Sequence, residues 1–119
     1  MKVSMEQTPL QHRLHAYRAR FAQGLATRLE RLNDHWRDAS DPGRREAALK
    51  ALYREAHNLA GGSASFGFKQ LGALARRLEE RAGALAEGRR PYAVECKELE
   101  RELDTLAGVI AEKVVHDGD

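Results

Sequence analysis

The sequence predicts an all-α protein, an up-down-up-down antiparallel four-helix bundle with room for a short extra N-terminal helix. Leucine and alanine dominate its apolar residues and β-branched residues are few, a composition that favours helix over sheet. Apolar residues recur at spacings of three and four in four segments, and no segment alternates as a strand would. The connections between these segments are short, which is typical of antiparallel neighbours in a bundle.

Length and charge limit the range of functions. The 119 residues are expected to form one domain, residues 1–119, with frayed ends at 1–8 and 116–119. A net charge of +2 does not indicate a nucleic-acid binder. The first residues lack the apolar stretch of a signal peptide, and no apolar run approaches the roughly 18 residues of a membrane span. We expect a cytoplasmic monomer without nucleic-acid or membrane partners, and the single cysteine, Cys96, is compatible with a reducing compartment.

The first helix is predicted from Pro9 to about Trp36. Thr8 suits the N-cap position, and Pro9 suits the first helical position because its missing backbone hydrogen would have no partner there. Gly24 interrupts the segment, so a short leading helix followed by a longer one is the alternative. The apolar stripe consists of Leu10, Leu14, Tyr17, Phe21, Leu25, Leu29, Leu32 and Trp36.

The composition of residues 38–43 is typical of a break, and the second helix is predicted from Arg44 to Gly61. His57 follows Ala56 by about 100° around this helix and therefore lies at the edge of its apolar stripe. The residues of that stripe are Leu49, Leu52, Ala56 and Leu59.

A turn rich in glycine and serine, residues 62–67, precedes a third helix predicted from Phe68 to Glu87. Gly88 suits a C-terminal stop, and Pro91 opens the fourth helix. The inward residues are Leu71, Leu74, Leu78 and Leu85 in the third helix, and Tyr92, Cys96, Leu99, Leu103, Leu106, Ile110 and Val114 in the fourth.

Gly61 and Gly62 follow His57 by about one helical turn, although each glycine costs a helix interior roughly 1 kcal/mol relative to alanine. Two interpretations stay open from the residues alone. The pair can simply end the helix. It can instead keep the surface beside His57 low, so that another protein can bring a reactive group to the imidazole.

The segment around His57 resembles the histidine-containing phosphotransfer (HPt) family. In that family a leucine follows the histidine by two residues, a glycine by four and a second glycine by ten, which here are Leu59, Gly61 and Gly67. The resemblance covers roughly residues 21–86. The further residues that fit the pattern are Phe21, Leu25, Leu29, Ala56, Ser63, Leu71, Leu74, Leu78 and Glu79.

The resemblance implies a phosphorelay intermediate of two-component signalling. His57 would accept a phosphoryl group and exchange it with the aspartate of a response-regulator receiver domain, with a hybrid histidine kinase as the other class of partner. The resemblance also implies no nucleotide-dependent kinase activity and no cofactor in this chain, since the Mg²⁺ ion would lie in the receiver's aspartate pocket. The sequence contains neither a Walker loop nor a dinucleotide-binding glycine motif.

In the family, the residue at the offset of Glu79 holds the imidazole ring. The resemblance therefore makes Glu79 the acceptor for the hydrogen on Nδ1 of His57, which leaves the lone pair on Nε2. His57 and Glu79 lie at similar distances from the 62–67 turn, so an antiparallel pair of helices can bring them together.

The sequence departs from the common family pattern at Ala60, where many members have lysine, and at Gly62, where serine is frequent. The positive charge that this lysine supplies to the phosphoryl group must then come from elsewhere or be missing. Arg76, one turn before Glu79, is the first candidate phosphate stabiliser. Arg54, one turn before His57, is the second candidate, and Lys69 is a weaker one.

A low apolar surface for the receiver is expected from Ala60, Gly61 and Gly67. Ser63 joins these three as a candidate binding residue, although a serine in this position also suits a turn or cap. A metal site is not expected, because the closely spaced His12 and His15 have no evident third ligand.

Two rival functions remain. Ala60, in place of the usual lysine, also suits a helical adaptor that binds a receiver or kinase domain without phosphotransfer. A basic helical nucleic-acid binder, a function of another class, would require a steep salt dependence of DNA affinity.

Overall fold

The computed structural model describes residues 8–88 and 92–117, with side chains for residues 8–88 and 93–113. The described residues form five α-helices and contain no strand, which confirms the all-α class. The helices are α1 (Pro9–Gln23), α2 (Leu25–Asp38), α3 (Arg45–Ser65), α4 (Lys69–Glu87) and α5 (Tyr92–Asp117).

Helices α2 to α5 form the predicted four-helix bundle. Each helix packs beside the one before it, and α5 closes the ring by packing against α2. The extra N-terminal helix is α1, which continues into α2 through Gly24 in a right-handed conformation, with φ of −86° and ψ of −2°. The described residues extend over 62 × 22 × 20 Å, so the molecule is long and narrow.

Leucine side chains fill the centre of the bundle, as the apolar stripes predict. Burying each leucine stabilises the fold by about 1.5–3 kcal/mol, because its side chain leaves water. The leucines that are almost completely buried are Leu25, Leu32, Leu49, Leu52, Leu59, Leu71, Leu78, Leu99 and Leu106.

The outer half of α1 does not continue the buried stripe. Leu10, Leu14 and Tyr17 are 56%, 50% and 46% exposed, and Ala22 is the buried residue of this helix. A capping box between Thr8 and Gln11 closes its first turn.

Arg18 on α1 contacts the turn between α3 and α4. Its Nε donates a hydrogen bond to the Phe66 carbonyl oxygen at 3.1 Å, and its guanidinium carbon lies 4.3 Å from the Phe68 ring centroid. The inner part of α1 is therefore attached to the bundle while its outer apolar residues meet solvent.

Helix α3 ends four residues later than the sequence predicts. It runs through Gly61 and Gly62 to Ser65, so the interpretation of the glycine pair as a helix stop is wrong. Gly62 serves packing instead, because a methyl group added there would lie 2.5 Å from Cε1 of Phe21. The chain turns at Gly67, whose φ of 80° lies in the left-handed region that favours glycine.

The other helix ends agree with the sequence. Gly88 ends α4 with a left-handed φ of 67°, and Thr8 caps α1. Of the ends expected to fray, residues 1–7 and 118–119 lie outside the described residues, whereas α5 runs to Asp117. Pro91 and the side chains of Tyr92 and Val114 also lie outside the described part.

Helix α5 buries a carboxylate that its apolar stripe does not predict. Glu95 is 1% exposed, whereas Cys96, predicted to point inward, is only half-buried. Arg81 on α4 lies 3.1, 2.8 and 3.2 Å from carboxylate oxygens of Glu95, Glu98 and Glu102. Burial raises the pKa of the Glu102 carboxyl, and the hydrogen bond from Arg81 opposes that rise.

Candidate functional site

His57 on α3 and Glu79 on α4 meet across the contact between the two helices. Nδ1 of His57 lies 3.0 Å from Oε2 of Glu79. A carboxylate accepts hydrogen bonds and has none to donate, so Nδ1 carries the hydrogen, and in the neutral imidazole Nε2 then holds the free lone pair. This arrangement leaves one ring nitrogen able to act as a nucleophile.

Glycines on α4 allow the two helices to pack closely at this site. A methyl group added to Gly83 would lie 3.5 Å from Cδ1 and Cε1 of the Tyr53 ring. Nearer the turn, a methyl group on Gly72 would lie 3.4 Å from Cβ of Ser63. These two contacts lie on either side of Glu79 along α4 and bring its side chain within reach of His57.

The imidazole is open to solvent although its partner is shielded. The His57 side chain is 64% exposed and that of Glu79 is 18% exposed. Tyr53 lies one turn before His57 with its ring nearly parallel, at 6.3 Å between centroids and 13° between planes. Gly61 lies one turn after His57 and adds no side chain to the same face. The exposed ring is therefore accessible to another protein.

Two grooves between α3 and α4 flank the pair. The groove of about 440 Å³ contains the acidic residue Glu87 beside its cationic residues, whereas the groove of about 320 Å³ has two cations and no acid among the described residues that line it. The first is lined by Lys50, Tyr53, Arg54, His57, Gly83, Ala86 and Glu87, and the second by Ala60, Ala64, Phe68, Lys69, Gly72, Ala73 and Arg76.

The structure places some of the predicted site residues along the two grooves beside the His57–Glu79 pair. Arg54 lines the same groove as the imidazole. Arg76 and Ala60 border the other groove together, although Ala60 is only 3% exposed and contributes little surface of its own. Gly61 is exposed, as the low-surface interpretation requires.

Other predicted residues lie away from the imidazole. Ser63 is completely buried against α4, so it cannot contribute to a docking surface in this conformation. Gly67 is exposed, but it follows His57 by ten residues, and Lys69 begins α4 beyond it. Ser65, the last residue of α3, lies roughly 12 Å from His57 along the helix at about 1.5 Å per residue, and Gly67 follows it in the turn.

Sequence reasoning assigned no site role to Tyr53, Gly72 or Gly83. The available signals were the four-residue spacing from Tyr53 to His57, which places both on one helix face, and the glycines inside the helical pattern of α4. A glycine in a helix interior indicates a close approach, but it does not identify the partner.

In the part of the chain that the structure describes, no group of three or more His, Cys, Asp or Glu side chains is placed to hold a metal ion. No described helix has both the length and the apolar character needed to cross a bilayer.

The family model of the Hpt domain matches residues 16–109, which include α3, α4 and the His57–Glu79 pair. The chain belongs to the Hpt domain family. This family consists of histidine phosphotransfer modules of phosphorelay signalling, and the helical fold agrees with that membership. Searches of curated proteins and of solved structures gave no match.

The range matched to the Hpt domain begins within α1 and ends within α5. It therefore includes α2, α3, α4 and the larger part of α5, and it excludes the outer half of α1, where the exposed Leu10 and Leu14 lie. The contact that the family resemblance implied between Glu79 and the His57 ring is present in this Hpt domain.

Proposed function

We propose that this Hpt domain is a phosphorelay intermediate that takes up a phosphoryl group on Nε2 of His57. The donor is the aspartyl phosphate of a receiver domain or a hybrid histidine kinase, and the acceptor is the aspartate of another receiver. The observation that carries the proposal is the exposed imidazole of His57, whose Nδ1 is hydrogen-bonded to the shielded carboxylate of Glu79. The domain acts as a monomeric phosphocarrier, and the Mg²⁺ ion belongs to the receiver.

The accepting step is a displacement at phosphorus. The Nε2 lone pair of His57 forms the nitrogen–phosphorus bond while the phosphorus–oxygen bond to the receiver aspartate breaks, and the aspartate carboxylate leaves with that electron pair. No base is needed, because Nε2 has no hydrogen to lose. Nδ1 keeps its hydrogen, so the phosphorylated ring is cationic and the Glu79 carboxylate beside it is stabilising.

Replacing Glu79 by Ala is expected to slow label transfer to His57 by about 10- to 100-fold, because a hydrogen bond to a charged group is worth about 1.5–3 kcal/mol. The rate is measured with labelled, phosphorylated receiver in excess. Glu80→Ala removes the exposed neighbouring carboxylate and should leave the rate unchanged. Transfer at the wild-type rate by Glu79→Ala would contradict the role of Glu79 in orienting the ring.

The receiver is proposed to dock on the low surface at Gly61, one turn from His57. A Cβ added at Gly61 would have open space around it, with no atom from another part of the described structure within 4 Å, so we expect Gly61→Leu not to disturb packing. Leucine also favours helix over glycine by roughly 0.8 kcal/mol. We expect this variant to be at least as stable as the wild type but to transfer phosphate about 10-fold more slowly or worse, because the reacting atoms can no longer approach correctly.

Gly108→Leu is the matched control for that substitution. Gly108 is also an exposed helical glycine with open space around it, but it lies on α5. Thermal unfolding should show similar stabilities for the two variants, whereas transfer should fall only for Gly61→Leu. Equal transfer by both variants would place the docking surface elsewhere.

The direct experiment mixes the Hpt domain with a set of receiver domains that a labelled small-molecule phosphodonor has phosphorylated. Label should move to the Hpt domain and survive alkali but not acid, as a phosphohistidine does. Complex formation is measured in parallel by gel filtration. A stable complex without label uptake would instead support the alternative function, an adaptor that binds a receiver or kinase domain without phosphotransfer. The presence of alanine in place of the usual lysine at position 60 favours that alternative.

A further inference from the structure

The packing of α3 against α4 places Arg76 opposite Ala60. Ala60 follows His57 by three residues on α3, and Arg76 precedes Glu79 by three residues on α4. Because the helices are antiparallel, both steps move about 4.5 Å in the same direction from the His57–Glu79 contact. The two residues also border one groove. Arg76 therefore starts on α4 at the level where a long side chain at position 60 would start on α3.

The charges around this groove favour an anion. Arg76 and Lys69 are its cations, and none of the described residues that line it is acidic. Arg76 forms no hydrogen bond or ion pair with any other described residue, so its guanidinium is available to a ligand. Lys69 lies about 10 Å further along α4 at 1.5 Å per residue, which puts it beyond a phosphoryl group on His57.

Arg54, the other cation close to His57, lies in a different electrostatic setting. Its groove includes the carboxylate of Glu87, and Lys50 in the same groove lies 3.4 Å from Glu46. Arg76, by contrast, borders a groove with no acidic residue among the described residues that line it.

We infer that Arg76 binds the phosphoryl oxygens during transfer and in the phosphohistidine, and so supplies from α4 the cation that Ala60 cannot supply from α3. This inference rests on the proposed function. A guanidinium presents two parallel N–H donors to two phosphoryl oxygens, which a single ammonium does not. The small Ala60 side chain leaves the groove open for it, and α4 then provides both the group that orients the ring and the group that binds the phosphate.

The test measures the rate at which Arg76→Ala accepts label from a phosphorylated receiver. We expect a loss of about 10- to 100-fold, because the substitution removes a charged donor from the developing phosphoryl charge. The melting temperature should not change, since Arg76 is exposed. Arg77→Ala is the matched control, because the neighbouring arginine lines a cavity between α4 and α5 instead. Arg54→Ala gives the corresponding measurement for the other groove.

Two rescue experiments separate the charge of Arg76 from its other properties. Ala60→Lys in the Arg76→Ala background should restore most of the rate, because it returns a cation to the same groove from α3. Free guanidinium at non-denaturing concentration should also accelerate Arg76→Ala and leave the wild type unchanged. The second measurement remains decisive if the lysine at position 60 disturbs the fold.

The outcomes distinguish this inference from the proposed function. Absence of label on the wild-type protein would reject the proposed function itself. Label uptake by the wild type together with a normal rate for Arg76→Ala would overturn only the role of Arg76. The role of Arg76 would also be overturned if Arg54→Ala lost more of the transfer rate than Arg76→Ala. The same holds if neither rescue restored the transfer rate of Arg76→Ala.

Discussion

Replacing His57 by Gln is expected to reduce phosphoryl uptake from a phosphorylated receiver below detection while the fold is retained. A glutamine amide nitrogen has no lone pair free to attack phosphorus, so the nucleophile is lost. The side chain of His57 is 64% exposed, so the core remains unchanged. Label uptake is measured by gel autoradiography, and circular dichroism shows whether the helices persist.

The controls for this prediction are the other histidines of the chain. His35 is the sharpest of them, because its Nε2 also lies near a carboxylate, 4.0 Å from Oε2 of Glu55. Its side chain is only 27% exposed, and Arg31 binds the same carboxylate at 3.3 Å. We expect His35→Gln and His12→Gln to take up label like the wild type. Uptake that persists in His57→Gln, or label that alkali removes, would reject His57 as the phosphoacceptor.

Replacing Arg81 by Met is expected to lower the free energy of unfolding by about 3–5 kcal/mol. Arg81 lies within 3.2 Å of Glu95, Glu98 and Glu102, and Glu95 is 1% exposed. Replacing Arg81 removes the cation that lies beside all three carboxylates, and one of these, Glu95, is completely buried. A domain of this size is stable by only about 5–15 kcal/mol, so the loss is large. Urea unfolding near pH 7.5 measures it.

The pH dependence gives this prediction a second test. Burial raises the folded-state pKa of Glu102, and a carboxyl of this kind contributes stability at acid pH that is lost as pH rises through the raised pKa. Without Arg81, which opposes this shift, the pKa of Glu102 is raised further, so more stability is lost as pH rises. The deficit of Arg81→Met should therefore be smaller at acid pH, where Glu102 is protonated, and should grow as pH rises above the ordinary glutamate pKa of about 4.3.

Two variants complete the test of the Arg81 cluster. Arg76→Met changes an exposed arginine of α4 that does not line the cavity of this cluster, and it should alter stability by about 0.5 kcal/mol or less. Glu95→Met in the Arg81→Met background should recover much of the loss, because apolar groups of similar volume can replace a buried ion pair. A stability of Arg81→Met that equals the wild-type value across this pH range would show that the cluster is solvated.

The proposed nucleophile and the carboxylate beside it could be selected from the sequence, although for different reasons. His57 was identified by the spacing of Leu59, Gly61 and Gly67, which the family model then supported. Glu79 followed from the family offset and from its equal distance to the turn, and the 3.0 Å contact agrees. Their roles in transfer remain predictions that the variants above test.

The exposed half of α1 and the path of α3 were not predictable in this way. Leu10 and Leu14 continue the apolar spacing of Leu25, but whether they are buried depends on a neighbour that their own spacing does not specify. Gly62 resembled a helix stop because glycine commonly has that role. The reason it lies inside α3 is the Phe21 ring, 41 residues earlier in the chain.

The sequence by itself determined the helical content, the leucine faces and the candidate phosphoacceptor, because helical periodicity and short motifs are local properties. Only the tertiary structure decided that Ser63 is buried and that Arg76 lies opposite Ala60. Those facts depend on the axial register of α3 against α4. That register is set by contacts between residues far apart in sequence, such as Tyr53 with Gly83, which no local pattern encodes.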